Sequence, residues 1–260
     1  LKHKKASTFV QIRSSISAHL AYIVSLDDKK GNRDGIAQPG EEVDVVVRVT
    51  NLGRGASGDT KLILKNLSGR AVFLDKGRES LGLLKPGQSK AGRLQITVKQ
   101  PIEAIKLRLS IWDSQYGGIL SNDIVLPVLA GEKSTSAKRL LQLKPGNKIP
   151  IYAGVSYKTP ITAYAKAGSK LSSRSHFSKR WYRVPIAQGG FGFIHKEHIL
   201  KSRPGGKKAK ASISMNSGQS PPVVTFKLQN LVTSEPEISL KGQVSDETAL
   251  RDMFVFVNDE

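Results

Sequence analysis

From His19 onward the chain alternates apolar and polar residues with a period of two, and turn-forming residues cut that alternation into short runs. A period of two puts successive side chains on opposite faces of an extended strand, whereas a helix needs a period near 3.6. The runs are 19–26 (HLAYIVSL), 43–50 (VDVVVRVT), 60–65 (TKLILK), 71–74 (AVFL), 92–98 (GRLQITV), 105–111 (IKLRLSI) and 122–129 (NDIVLPVL). Between them stand GNRDG, QPGEE, NLGRGASG and KPGQS, rich in the Gly, Pro, Asn and Asp that set tight turns. Seven such strands within about 110 residues predict an antiparallel β-sandwich over 19–130. Ahead of it, Phe9, Ile12 and Ile16 fall at helical spacings, so residues 1–18 are expected to form a short helix or linker.

A second β-rich unit is expected over 140–203, after a polar linker at 131–139 (GEKSTSAKR). Its clearest part is Trp181 to Leu200. Trp181, Tyr182 and Val184 favour a strand, and Pro185 confines the pairing of that strand to an edge. Gly189 and Gly190 offer the positive φ of a tight hairpin. Phe191, Phe193 and Ile194 then form the return strand before a short helical turn at His195–His198. Residues 204–220 are rich in Gly, Ser and Lys and read as a flexible basic linker. Residues 221–260 carry further strands but too little apolar surface to stand alone, as the start of another sandwich would. The fold class is therefore all-β.

Charge is concentrated. The whole chain carries +20, and residues 131–210 hold 18 Lys/Arg against 2 Asp/Glu, which is +16. Such a unit attracts polyanions: wall polymer, lipopolysaccharide, acidic headgroups or nucleic acid. No cysteine is present, which removes disulfides and thiolate metal sites. No stretch of eighteen apolar residues occurs, so no membrane span is expected. The first fifteen residues lack the apolar core of a signal peptide, the chain does not begin with Met, and it ends at VFVNDE just after a strand-like run. It reads as a fragment of something longer.

Few residues suggest chemistry. His195 and His198 stand at i, i+3 with no Cys or third His nearby, a poor zinc pattern. Asp28, Asn32, Asp34 and Glu41 are weak calcium candidates, because their spacing fails the EF-hand loop and Lys29, Lys30 and Arg33 intrude. Asp/Asn turns are the simpler account of that loop. No G-x-S-x-G elbow exists, and GGFG lies inside a hairpin rather than before a helix. No cofactor and no catalytic residue are expected on this chain. The basic unit does intersperse cations with aromatics. Tyr157, Arg174, His176, Arg180, Tyr182 and Arg183 are its candidate ligand-binding residues, while Trp181, Phe191 and Phe193 are expected to fill its core. Without a recognition helix or RNP-type sequence, nucleic acid is the less expected partner.

Three stretches carry resemblances. The W-Y-x-V strand at 181–184 and the G-F-I-x-x-x-H-I strand at 192–199 resemble the last hairpin of bacterial SH3-like domains, which bind or position rather than catalyse. The N-V-R-x-G-P run often seen in their first loop is replaced by V-S-Y-K-T-P at 155–160, so the usual groove is altered. The run 27–42 (DDKKGNRDGIAQPGEE), T-N-L-G at 50–53 and L-K-P-G-Q-S at 84–89 resemble a bacterial immunoglobulin-like domain. With V-S-D-E-T-A-L-R-D at 244–252, the order of parts resembles the non-catalytic C-terminal region of secreted, PDZ-containing C-terminal processing (tail-specific) serine peptidases. That resemblance implies a periplasmic or secreted bacterial envelope protein, a catalytic Ser and Lys upstream of Leu1, and peptidoglycan or the upstream peptidase domain as partner. Two other readings stay open: a fragment that completes or regulates a peptidase active site on that upstream sequence, and a non-specific polyanion or nucleic-acid binder.

Overall fold

The computed structural model describes residues 18–115, 117–129, 134–186, 190–205, 212–216, 223–227 and 241–245. In it the alternating runs of 19–129 form eight strands: β1 (Leu20–Asp27), β2 (Glu42–Asn51), β3 (Thr60–Asn66), β4 (Val72–Lys76), β5 (Arg78–Gly82), β6 (Ser89–Val98), β7 (Ala104–Asp113) and β8 (Gly117–Pro127). They make two four-stranded antiparallel sheets, ordered β1-β2-β6-β4 and β5-β3-β7-β8. The inward halves of the alternation meet between them. Val43, Val45, Val47 and Val49 of β2 pack in one core with Leu62, Leu94, Ile96, Leu107 and Leu109. Seven strands were legible; β5 was not, because R-E-S-L-G offers Leu81 alone as an inward apolar residue. Gly92 of β6 also faces this core, where a Cβ would stand 2.5 Å from Leu62 Cδ1.

The two turn motifs of the sandwich meet at Asn51, which is fully buried. Its Oδ1 accepts from the His19 and Gly53 N–H groups, and its Nδ2 donates to the Gly55 and Leu84 carbonyls. The Gly87 N–H donates to the Asn51 carbonyl. One amide therefore ties the entry to β1 to both loops at that end of the sandwich.

β1 breaks the alternation. Seven of its eight residues are buried. Leu20, Tyr22, Val24 and Leu26 join the sandwich core, whereas Ile23 points the other way into a second core. A strand buried on both faces reads as a continuous apolar run, and LAYIV is one.

That second core belongs to an eight-stranded sheet: β9 (Thr135–Leu143), β10 (Ile149–Tyr152), β11 (Ile161–Ala165), β12 (Lys170–Phe177), β13 (Trp181–Pro185), β14 (Phe191–His195), β15 (Ile199–Pro204) and β16 (Ile213–Met215). Its order is β15-β9-β12-β13-β14-β10-β11-β16. Leu141, Leu143, Ile151, Ala163, Leu171, Val184 and Ile194 fill its inner face. The hairpin expected at 181–195 forms as β13 and β14, and Pro185 pairs with Phe191 beyond the point where β12 pairing ends. Trp181 and Phe193 are buried as expected, whereas Phe191 is only half-buried, beneath Arg174 and Arg183. Gly190 does not occupy the left-handed region; it lets the Ile186 side chain approach to within 3.1 Å of where a Cβ would sit.

Two linkers prove shorter. Residues 135–139, read as linker, begin β9 and pair with β12 and β15. Within the supposed flexible stretch 204–220, Ile213–Met215 add β16 to the edge of β11, with Ile213 packed on the core. Polar composition concealed both: residues 135–139 contain Ala137 as their one apolar residue, and β16 is a three-residue edge strand. Lastly, β17 (Val223–Lys227) and β18 (Lys241–Ser245) form an antiparallel pair. The remaining residues of 221–260, and the helix expected within 1–18, lie outside the described residues.

Replacing Asn51 with Ala removes four hydrogen bonds and leaves the buried Gly55 and Leu84 carbonyls without the Nδ2 donor. Asn51→Ala should cost about 2–4 kcal/mol, read as a lower midpoint in urea unfolding at unchanged slope. A loss under about 0.5 kcal/mol would contradict this role.

Candidate functional site

The acidic loop 27–42 follows β1, and its carboxylates serve its own backbone. Asp28, 1% exposed, accepts from the Asp34 and Gly35 N–H groups at 2.7 and 3.0 Å. Asn32 Oδ1 also accepts from the Asp34 N–H, and Asp34 Oδ1 accepts from Ile36 N–H. Glu41 accepts from Asn32 and Gln38 N–H. The four oxygen-bearing residues weighed for calcium thus come together as acceptors for the loop's own backbone, Asn32 and Asp34 in Asx turns and Asp28 and Glu41 across the loop. Among the described residues, no group of three or more His, Asp or Glu is placed to hold a metal.

What this scaffold presents is Ile36. Its side chain, 1% exposed, enters a cluster formed by Tyr152, Phe177, Trp181 and Phe193 of the second unit. Beside it, Arg33 adopts a left-handed φ of 64°, and its carbonyl accepts from Arg183 Nη1 at 2.6 Å. Gly35 (φ +86°) lies against the same guanidinium, where a Cβ would fall 3.0 Å from Arg183 Nε. That spot needs glycine for both conformation and space. The guanidinium stacks 4.3 Å from the Phe191 ring centre, and its Nε is buried without a hydrogen-bond partner. Burial lowers the Arg183 pKa, opposed by the nearby charges of Asp28, Asp34 and Asp27. Arg183 therefore acts as an interdomain clamp rather than an open ligand contact.

The other candidates scatter over the same unit. Arg174 joins Arg183 over Phe191, at 5.1 Å. His176 pairs across the strands with Tyr182; its Nδ1 is buried without a partner, and burial lowers its pKa. Arg180 is exposed in the β12–β13 turn, where Ser178 and Lys179 both take positive φ and the Arg180 N–H donates to the Phe177 carbonyl. That is the backbone pattern of a type I′ turn, unsignalled by sequence because neither residue is Gly or Asn.

Tyr157 has a separate setting. It is 49% exposed, in the β10–β11 loop, and packs against Tyr152, Trp181 and His195 with ring centres 5.1–5.5 Å apart. Its hydroxyl donates to Glu197 Oε1 and meets His195 Nδ1. Burial and the Glu197 carboxylate raise the Tyr157 pKa, while the Tyr157 hydrogen bond lowers that of Glu197. The rings touch one another, so this is a closed ledge rather than an open cage.

A different surface brings three exposed cations together. Leu140, Gln142, Lys170, Leu200, Lys201 and Arg203 line one groove on β15, β9 and β12. In the sequence Lys170, Lys201 and Arg203 are three of the 18 Lys/Arg of residues 131–210, up to 33 positions apart. Their meeting depends on β9 lying between β12 and β15, an order that local sequence does not encode. Comparison with protein-family models and with curated proteins returns no match.

Asp34 gives this junction a pH dependence. Burial first, then the neighbouring Asp28 and Glu41 charges, raise its pKa from 3.8 to about 6, against the opposing Ile36 hydrogen bond. A carboxyl with a raised native pKa is favoured protonated by the fold, so its contribution is present at low pH and lost as pH rises from about 4 to about 6. Asp34→Asn should therefore melt about 2–4 °C above the parent at pH 7–8 and level with it near pH 4. A parent more heat-stable than the variant at pH 7–8 would contradict the assignment.

Proposed function

We propose that this chain is a non-catalytic binding and positioning region of a bacterial envelope protein, exported to the periplasm or beyond, whose basic unit contacts an anionic envelope polymer. The observation that carries the reading is a closed junction combined with lopsided charge: two β units packed as one body, with +16 in residues 131–210. A binding face held by a rigid junction loses less freedom on contact than one on a tether.

The finer likenesses support it. The strand orders β1-β2-β6 and β3-β7-β8 parallel the A-B-E and C-F-G neighbours of an immunoglobulin-like sandwich. The β13–β14 hairpin, the 3₁₀ turn Lys196–His198 and β15 follow the order expected of an SH3-like unit. Placement behind a C-terminal processing peptidase, with that upstream domain as a second partner, follows from the motif resemblance. No helix among the described residues is long and apolar enough to cross a membrane.

The intact chain should sediment with purified sacculi at low ionic strength and be released as salt approaches about 0.5 M, because exposed charges are then screened within a few ångströms. Full recovery in the supernatant at low salt would remove the envelope-polymer reading.

A further inference from the structure

We propose that the outer face of β15, β9 and β12 is a binding strip for a linear anionic glycan, a chain of sugar rings bearing carboxylates or phosphates. This deepens the reading above and rests on it. Register sets the geometry. Gln142 of β9 pairs with Lys170 on one side and Lys201 on the other, while Leu140 pairs with Ser172 and Arg203. Leu141, Leu143 and Leu171, the alternate residues, enter the core, so these two rows share the opposite face. Strand spacing places Lys170 and Lys201 about 10 Å apart across the sheet and Arg203 about 7 Å along from Lys201.

The lining chooses the occupant. Leu200, 55% exposed at the irregularity between Ile199 and Lys201, joins Leu140 as an aliphatic floor between the cations. No acidic residue lines the groove. Among the described residues, no carboxylate forms an ion pair with Lys170, Lys201 or Arg203. A polyanion would therefore displace no internal partner. Single-stranded nucleic acid draws affinity from stacking on aromatic side chains, and this lining has none. A membrane surface needs a broad apolar face, and Leu200 is the only strongly exposed aliphatic of this unit among the described residues. Sugar rings offer aliphatic C–H faces to such a floor and anionic groups to the cations at its rim.

The test uses the full chain and four probes: polygalacturonate, phosphorylated dextran, poly(dT) and phosphatidylglycerol vesicles. One variant carries Lys170→Glu, Lys201→Glu and Arg203→Glu. A control with the same change in total charge carries Lys158→Glu, Lys166→Glu and Lys196→Glu, all exposed elsewhere on the unit. Circular dichroism verifies that both remain folded. The strip variant should lose about tenfold or more in affinity for one or both of the first two probes, with a shallower salt dependence, while the control stays within about threefold of the parent. Preference between those two probes separates carboxylate from phosphate as the recognised group. Equal losses in both variants would overturn the strip while leaving the polymer-binding function standing. Binding to poly(dT) or vesicles alone would overturn the glycan as occupant. A parent that binds no probe at low salt would overturn the strip together with the function it rests on.

Discussion

The insertion of Ile36 into the aromatic cluster of the neighbouring unit is the contact on which the rest of the structure depends. It needs a loop held in one shape, and buried Asp28 holds it by accepting from two consecutive N–H groups. It needs the Arg33 carbonyl turned toward Arg183, which a left-handed Arg33 provides. It also needs β1 covered on its outer face, which Ile23 in the second core achieves. Burying Ile36 alone is worth about 2–3 kcal/mol. The strained Arg33 backbone and the unpaired Arg183 Nε are costs that persist only because the surrounding packing over-determines them.

The same junction decides which surfaces remain for a partner. Arg183 and Arg174 share the Phe191 ring at the junction, so a guanidinium that sequence alone offers to a ligand is committed to architecture. Three of the cations that stay outward, Lys170, Lys201 and Arg203, line one groove across β12, β9 and β15. Like charges on one small unit repel and reduce its stability, and a polyanion would offset that repulsion.

Much of the fold could be read from the chain because its cues are local. The alternation in VDVVVRVT sets the β2 faces, and the T-N-L-G and L-K-P-G-Q-S turns meet through Asn51. The illegible parts have specific causes. β5 and β16 are edge strands with one inward apolar residue or a short span, too little for a period to show. The Ser178–Lys179 turn hides its positive φ behind residues that rarely adopt it. The oxygen-rich loop, by contrast, reads most simply as Asp/Asn turns, and its oxygens do face backbone N–H groups. The candidate site was the least legible part. Of its six candidate ligand residues, Arg183 went to the junction, His176 and Tyr182 to each other, and Tyr157 to a surface network with His195 and Glu197. The doubly buried β1 was signalled by its unbroken LAYIV run, although that run also fits an ordinary half-buried strand.

The central claim is that the sandwich and the eight-stranded sheet move as one body. Amide ¹⁵N relaxation of the intact chain tests it most directly. The account predicts one rotational correlation time shared by the strand amides of 20–127 and 135–204. Two distinct correlation times for those sets would contradict it.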